Sequence, residues 1–149
     1  MTEGGRAMTE PMTTLNGTFD LASWNEDTIQ ELEGNRKLTR AIVTQTFTGD
    51  LEGDGWVEWL MCYAEDGTAR FVGMQRIEGT ADGRKGSVVL ETTGDFNGSE
   101  AVGTWTVLPG SATGELVGMT GSGRFEAPHG PTATYAVDVS FEQSERSAG

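Results

Sequence analysis

Apolar and polar residues alternate over short stretches along most of the chain. The first stretch begins at Thr13 and places Leu15, Phe19 and Leu21 on one face. The last covers Thr132 to Phe141. A period of two is typical of a β-strand with one buried face. Further strands are predicted over residues 37–48, 55–64, 68–80, 84–94 and 99–108.

The predicted strands are separated by short pairs of turn residues. Asp66-Gly67, Asp82-Gly83 and Asn97-Gly98 are pairs that tight hairpins require, because both central residues adopt positive φ. Consecutive hairpins form an antiparallel meander, and about eight strands close into a barrel. We therefore predict an all-β protein with one closed antiparallel β-barrel over residues 13–142. Residues 1–12 form a predicted disordered tail and 143–149 a loose one.

The stretch from Trp24 to Arg36 lacks this alternation. Asn25 or Asp27 are suitable N-caps for a short helix over Glu26 to Leu32. We therefore expect one short helical or loop segment near residues 25–35. Two hypotheses stay open for it, a surface connection and a lid over one end of the barrel.

Glycine and proline dominate Leu108 to Tyr135, which excludes a long helix there. Short apolar pieces at Glu115 to Met119 and Gly123 to Ala127 are predicted to form small strands.

Several sequence motifs carry a resemblance to a known family. They are KLTR at 37–40, VEWLM at 57–61, Gly-Thr-Trp at 103–105 and the glycine-rich stretch from 108 to 135. Together they resemble an uncharacterised bacterial family of allene-oxide-cyclase-like β-barrels. The resemblance implies a small antiparallel barrel, often oligomeric, that binds an apolar intermediate in its lumen. It also implies that ring closure would proceed without a metal or redox cofactor, and it assigns no catalytic residue.

Composition limits the possible functions. The net charge of −13 disfavours binding to nucleic acid and to anionic membranes, since both need clustered Lys and Arg. One cysteine and one histidine leave no disulfide framework and too few ligands for most zinc sites. No signal peptide and no long apolar segment are visible. We expect a cytoplasmic protein with no cofactor and no metal.

The predicted strand from Trp56 to Tyr63 is apolar on both faces. One face carries Trp56, Leu60 and Cys62, and the other carries Val57, Trp59, Met61 and Tyr63. A barrel strand needs only one apolar face, so another chain or the 25–35 segment is expected to cover the second. This pattern favours a homo-oligomer.

Polar residues on otherwise apolar strand faces are the candidate site residues. They are Glu58, Arg40 and Gln75, with Gln45 as the alternative to Arg40 on the opposite face of its strand. Periodicity does not say which faces point inward, so two hypotheses stay open for Glu58. Facing inward, it would be an acid in an apolar cavity, able to protonate a small organic substrate. Facing outward, it would pair with Arg40 or with Arg76.

The remaining candidates are one histidine and three aromatic residues. His129 is the only side chain with an ordinary pKa near neutrality, and it either packs at a turn or serves catalysis at a barrel mouth. Trp105 and Tyr135, with Trp56 or Trp59, would either supply the aromatic walls of a ligand site or simply form the core.

The leading hypothesis is a cofactor-free barrel that binds a small apolar molecule in its lumen. As an enzyme it would be a cyclase or isomerase with Glu58 as the acid. The alternatives are a non-catalytic carrier and a filled barrel that acts only in assembly.

Overall fold

Eight strands in chain order form one closed antiparallel sheet in the computed structural model of the chain. The structure describes residues 12–128, 130 and 132–142. The strands are β1 (Thr13–Glu31), β2 (Lys37–Gly49), β3 (Leu51–Tyr63), β4 (Ala69–Ala81), β5 (Arg84–Phe96), β6 (Ala101–Val107), β7 (Met119–Ala127) and β8 (Thr132–Phe141). β8 pairs back onto β1, which closes the barrel.

The closed antiparallel barrel predicted from the sequence is confirmed. The turn between β4 and β5 has the backbone geometry that its Asp-Gly pair predicts. Asp82 and Gly83 have φ of 53° and 80°, the positive values that a two-residue hairpin requires. The alternation of apolar residues then decides which side chains fill the interior.

The helix predicted over Glu26 to Leu32 is wrong. β1 continues as a strand to Glu31 and pairs with β2 over its whole later course. Register shifts between Leu21 and Ser23 and between Thr28 and Gln30 interrupt the alternation, which is why the sequence looked irregular there. Pairing with a neighbouring strand outweighs a weak capping signal.

The small strand predicted at Glu115 to Met119 is also misplaced. Gly114–Leu116 forms a 3₁₀ turn, and β7 begins only at Met119. A second 3₁₀ turn, Glu33–Asn35, joins β1 to β2. No helix in the described part of the chain is long and apolar enough to cross a membrane.

Aromatic rings fill the middle of the barrel. Phe19, Phe47, Trp105, Phe125 and Tyr135 are buried, and their ring centroids lie 5.0 to 6.1 Å apart in successive contacts. Such spacings are typical of packed aromatic pairs. The barrel centre is therefore a core.

Tyr135 ties this core to the backbone at one end of the barrel. Its hydroxyl accepts a hydrogen bond from the Leu51 backbone N–H at 2.8 Å and donates one to the Thr48 carbonyl at 3.1 Å. Gly17 lies directly opposite on β1, and a methyl group there would overlap the Tyr135 ring. Burial, together with the charges of Asp50 and Glu52, raises the pKa of Tyr135 despite its hydrogen bond from Leu51. Its hydroxyl is therefore a structural group that stays protonated.

Replacing Tyr135 with Phe should lower the free energy of unfolding by about 1–3 kcal/mol, because the buried Leu51 N–H loses its partner. Urea denaturation followed by circular dichroism measures the change. Thr134→Val, on the exposed face of the same strand, is the matched control and should change stability by less than about 0.5 kcal/mol. An equal effect of the two substitutions would contradict this role of Tyr135.

Candidate functional site

One end of the barrel has walls of unequal height. β8 pairs with β1 only as far as Thr132 and Asp20, whereas β1 runs on to Glu31 against β2. β1 therefore projects beyond the start of β8 and is paired with β2 alone over its last residues. Residues 97–100, Pro128 and Gly130 lie at the same end. We call this end of the barrel the mouth.

A cavity of about 250 Å³ lies at the mouth and is lined mainly by aromatic and aliphatic side chains. Its lining residues are Phe19, Leu21, Trp24, Trp59, Met61, Phe71, Phe96, Ser99, Ala101, Phe125, Ala127, Pro128 and Gly130. The described lining includes no ionisable side chain. We call this space the mouth cavity.

Trp24 and Trp59 form the tall side of the mouth cavity. Their ring centroids are 5.7 Å apart. Trp59 is 6% exposed and lies 5.0 Å from the Phe71 ring, whereas Trp24 is 41% exposed at the rim. This side of the cavity thus has one buried ring, Trp59, and one accessible ring, Trp24.

The Trp59 ring faces inward because of the residue opposite. Gly73 is its direct partner on β4, and a methyl group there would lie 2.5 Å from Trp59 Cδ1. Only glycine leaves room for the indole at this position.

Beside the mouth cavity, the carboxylate of Glu26 joins three strands. Its Oε2 accepts hydrogen bonds from the Thr39 hydroxyl at 2.6 Å and the Tyr63 hydroxyl at 2.7 Å. Its Oε1 accepts one from the Trp24 indole N–H at 3.1 Å. Thr39 lies on β2 and Tyr63 on β3, so the carboxylate links β1, β2 and β3.

These contacts control two pKa values. Burial acts to raise the pKa of Glu26, but hydrogen bonds from Thr39, Tyr63 and Trp24, helped by the Lys37 charge, together hold it below its usual range. Burial, then the hydrogen bond to Glu26 and its negative charge, raises the pKa of Tyr63 far above its usual value. At neutral pH the pair is therefore an ionised carboxylate and a protonated phenol.

Three of the predicted site residues lie on the outside of the barrel. Glu58 forms an ion pair with Arg40, and both side chains are partly exposed. Trp56 is 44% exposed on the same outer face. The hypothesis of Glu58 as an acid inside the lumen required an inward side chain, so this placement corrects it. The outward alternative, pairing with Arg40, is the one that the structure has.

Three other predicted residues are inward but do not line the mouth cavity. Gln75, Trp105 and Tyr135 are buried deeper in the barrel. The Gln75 Nε2 donates a hydrogen bond of 2.5 Å to the Gln45 Oε1. His129, the remaining candidate, lies outside the described residues.

The deeper lumen also holds a row of polar atoms without partners. Trp59, Gly73, Thr92 and Trp105 are neighbours across four strands. Both indole Nε1 atoms and the Thr92 Oγ1 are buried and have no hydrogen-bond partner among the described residues. Unpaired buried polar groups cost stability, so this row is a polar interruption of the aromatic core.

Trp24, Glu26 and Tyr63 are not among the site residues predicted from the sequence. The register shift after Leu21 moves Trp24 and Glu26 onto the inner face, so simple alternation assigns them wrongly. A usable signal was the cross-strand pairing of a tryptophan with a glycine, as in Trp59 and Gly73. That pairing identifies the inward face of β3 and places Tyr63, four residues further on, on the same side.

Comparison with known proteins places the sequence in a family. Residues 15–139 match the family model described as a protein of unknown function, DUF3224. The chain belongs to the DUF3224 family. A crystal structure of a DUF3224 protein with unknown function from Shewanella oneidensis MR-1 is similar to it, at 28% identity and a TM-score of 0.76. That similarity covers 89% of this chain and 99% of the other. No protein with a curated description matches the sequence.

The uncharacterised family predicted from the sequence motifs is thus confirmed. The likeness of this DUF3224 protein to allene oxide cyclases stays a prediction.

We expect Tyr63→Phe to raise the pKa of Glu26 towards the usual value of about 4.3, because the carboxylate loses one of its donors. Carbon-detected NMR titration of the Glu26 carboxyl group measures this. A lowered carboxylate pKa contributes stability above the unfolded pKa, and that contribution is lost as pH falls through the folded value. As pH falls, protonation of Glu26 should therefore destabilise the variant less than it destabilises the wild type.

Ser23→Ala is the control for this titration. It removes a hydroxyl that bonds Thr44 at 2.6 Å on the other face of β1. An unchanged Glu26 pKa in Tyr63→Phe, or an equal rise in Ser23→Ala, would contradict the proposed network.

Proposed function

We propose that this protein binds a small, largely apolar organic molecule in the mouth cavity. The observation that carries the proposal is the cavity of about 250 Å³ with walls of aromatic rings beside a filled barrel centre. Ligand sites are typically concave and lined by aromatic and apolar side chains. The hypothesis drawn from the sequence placed the ligand deep in the barrel lumen, whereas this proposal places it in the mouth cavity.

The cavity volume restricts the size of the guest. Sites for drug-sized ligands measure roughly 300–1,000 Å³. A cavity of about 250 Å³ is slightly smaller and suits a molecule of one or two fused rings. The flat faces of Trp24, Trp59 and Phe125 favour a planar body.

Binding is better supported than catalysis. A cyclase or isomerase needs an acid, a base or a charged group at the reacting atoms. The described residues that line the mouth cavity offer one hydroxyl, that of Ser99, and no ionisable group. Binding alone needs no such group, so a carrier or ligand sensor is the simpler proposal for the mouth cavity.

Titration with 2-naphthalenemethanol, a neutral bicyclic probe, tests the proposal through the four tryptophan indole N–H signals in NMR spectra. The Trp24 and Trp59 signals should shift, because the aromatic probe would lie against both rings. The Trp56 signal should stay in place, since that indole is on the outer face. Single Trp→Phe variants assign the four signals.

Two variants sharpen the test. Ala101→Phe places a ring in the mouth cavity and should weaken probe binding by about tenfold or more. Val102→Phe, the neighbouring position on the outer face of β6, should leave the affinity unchanged. A probe that shifts only Trp56, or that shifts no indole signal, would contradict the proposal.

We also propose that a second copy of this chain covers the outer face of β3 and β4. Trp56, Leu60, Val72 and Met74 are each 44–53% exposed there and line a groove of about 520 Å³. This groove is larger than the mouth cavity but more open. Exposed apolar patches of this kind commonly mark protein interfaces.

The charges around this patch favour a second copy over an unrelated partner. Ion pairs between Arg40 and Glu58 and between Arg76 and Glu78 border it, so both signs are present. Two copies related by a twofold axis present the same patch to each other. Opposite charges can then meet across the axis despite the net charge of −13.

Sedimentation velocity should show a homo-oligomer that Leu60→Glu dissociates, because the substitution places a charge in an apolar contact. Val117→Glu is the control, since Val117 is 61% exposed and lies at the end of the barrel opposite the mouth. A monomeric wild type, or equal dissociation by the two substitutions, would contradict the assembly.

A further inference from the structure

We propose that Glu26 is the anchor for a positively charged amine on the bound molecule, so that the ligand is an amphipathic cation with a planar apolar body. This inference rests on the proposed function, because the apolar body occupies the mouth cavity. It adds a polar subsite and a charge preference that the cavity lining alone does not give.

A polar pocket lies directly beside the mouth cavity. Its volume is about 470 Å³, and it is lined by Glu26, Thr28, Asn35, Lys37, Thr39, Tyr63, Ala64, Glu65 and Gly67. The pocket lies on the same inner face as the mouth cavity, since Glu26 is paired with Ala41 and Ala41 with Trp59. A ligand can therefore extend from one space into the other along a single surface.

Two side-chain contacts mark the border between these spaces. The Trp24 ring lines the mouth cavity, while its N–H reaches the Glu26 carboxylate at 3.1 Å. Met61 also lines the mouth cavity, and its sulfur lies 3.9 Å from the Tyr63 hydroxyl oxygen. A planar body between Trp24 and Met61 thus has its polar end close to the carboxylate.

Glu26 has capacity for a further donor. Its Oε2 already accepts two hydrogen bonds, whereas its Oε1 accepts a single, longer one from Trp24. A carboxylate oxygen can accept two. The three donors also fix the carboxylate in position, so little ordering is needed when a ligand binds.

The surroundings favour a cation over a neutral donor or an anion. A hydrogen bond between an ammonium group and a carboxylate is about twice as strong as a neutral one. The aromatic faces of Trp24, Trp59 and Tyr63 attract cations as well. The Tyr63 ring already contacts one cation, since the Lys37 ammonium lies 5.1 Å from its centroid.

The charges in the polar pocket also favour a cationic ligand. Glu26 and Glu65 provide two carboxylates against the one ammonium of Lys37. The net charge of −13 adds a long-range attraction for cations. A carboxylate ligand would be repelled by the two carboxylates of the pocket and by the net negative charge of the protein.

Three probes with the same naphthalene body test the inference by isothermal titration calorimetry at low salt. They are 2-naphthalenemethylamine, 2-naphthalenemethanol and 2-naphthoate. The amine should bind about tenfold more tightly than the alcohol, and the naphthoate most weakly. Glu26→Gln should remove the preference for the amine, because it should lower the affinity for the amine far more than the affinity for the alcohol.

Glu65→Gln is the matched control, because it removes one negative charge from the same pocket at an exposed position. The exposed Glu65 charge acts through solvent, so its removal should lower the affinity for the amine far less than Glu26→Gln does. Where Glu26→Gln fails to fold, salt provides the second test on the wild type. Raising the salt concentration to about 1 M should bring the affinity for the amine close to that of the alcohol.

The possible outcomes separate this inference from the proposed function. Equal binding of the three probes, or tightest binding of the naphthoate, would overturn the role of Glu26 and leave the mouth cavity as the site. Equal loss of affinity for the amine and the alcohol in Glu26→Gln would also overturn it, by showing a structural role only. Failure of all three probes to bind would overturn the proposed function and this inference together.

Discussion

Packing of aromatic rings onto glycines of neighbouring strands is the constraint on which the rest of this structure depends. The direct cross-strand pairs are Tyr135 on Gly17, Trp59 on Gly73, Phe71 on Gly94 and Phe125 on Gly103. At each glycine a methyl group would overlap the ring opposite. The pairs therefore fix which faces point inward, since a shift of one residue would turn every ring outward. They also fill the barrel centre, so space for a guest remains at the mouth.

The unequal lengths of β1 and β8 turn this filled barrel into one with a usable opening. β1 continues beyond the last residue of β8 that pairs with it and carries Trp24 and Glu26 above the rim. A projecting strand without a second neighbour needs other contacts. The Glu26 carboxylate supplies them by accepting hydrogen bonds from the Thr39 and Tyr63 hydroxyls. The same hydrogen bonds hold an ionised group beside an apolar cavity, where we propose that it selects a ligand by charge.

The sequence predicts the barrel better than the site, for a physical reason. Alternation and pairs such as Asp82-Gly83 are local signals, and they suffice for strands and hairpins. The inward face of β3 is a non-local property, because both Trp56 and Trp59 are apolar and only the partner strands distinguish them. Glu58 was a reasonable candidate acid until its pairing with Arg40 placed it outside. Trp24 and Glu26 were hidden by a register shift that local patterns do not reveal.

The central claim is that the mouth cavity, and no other part of the barrel, holds a small molecule. Native mass spectrometry after incubation with an extract of the source cells tests it most directly. The account predicts the same adduct mass on the wild type and on Val102→Phe, and no adduct on Ala101→Phe, because only the last substitution fills the cavity. An adduct that Ala101→Phe retains, or none on any of the three proteins, would contradict it.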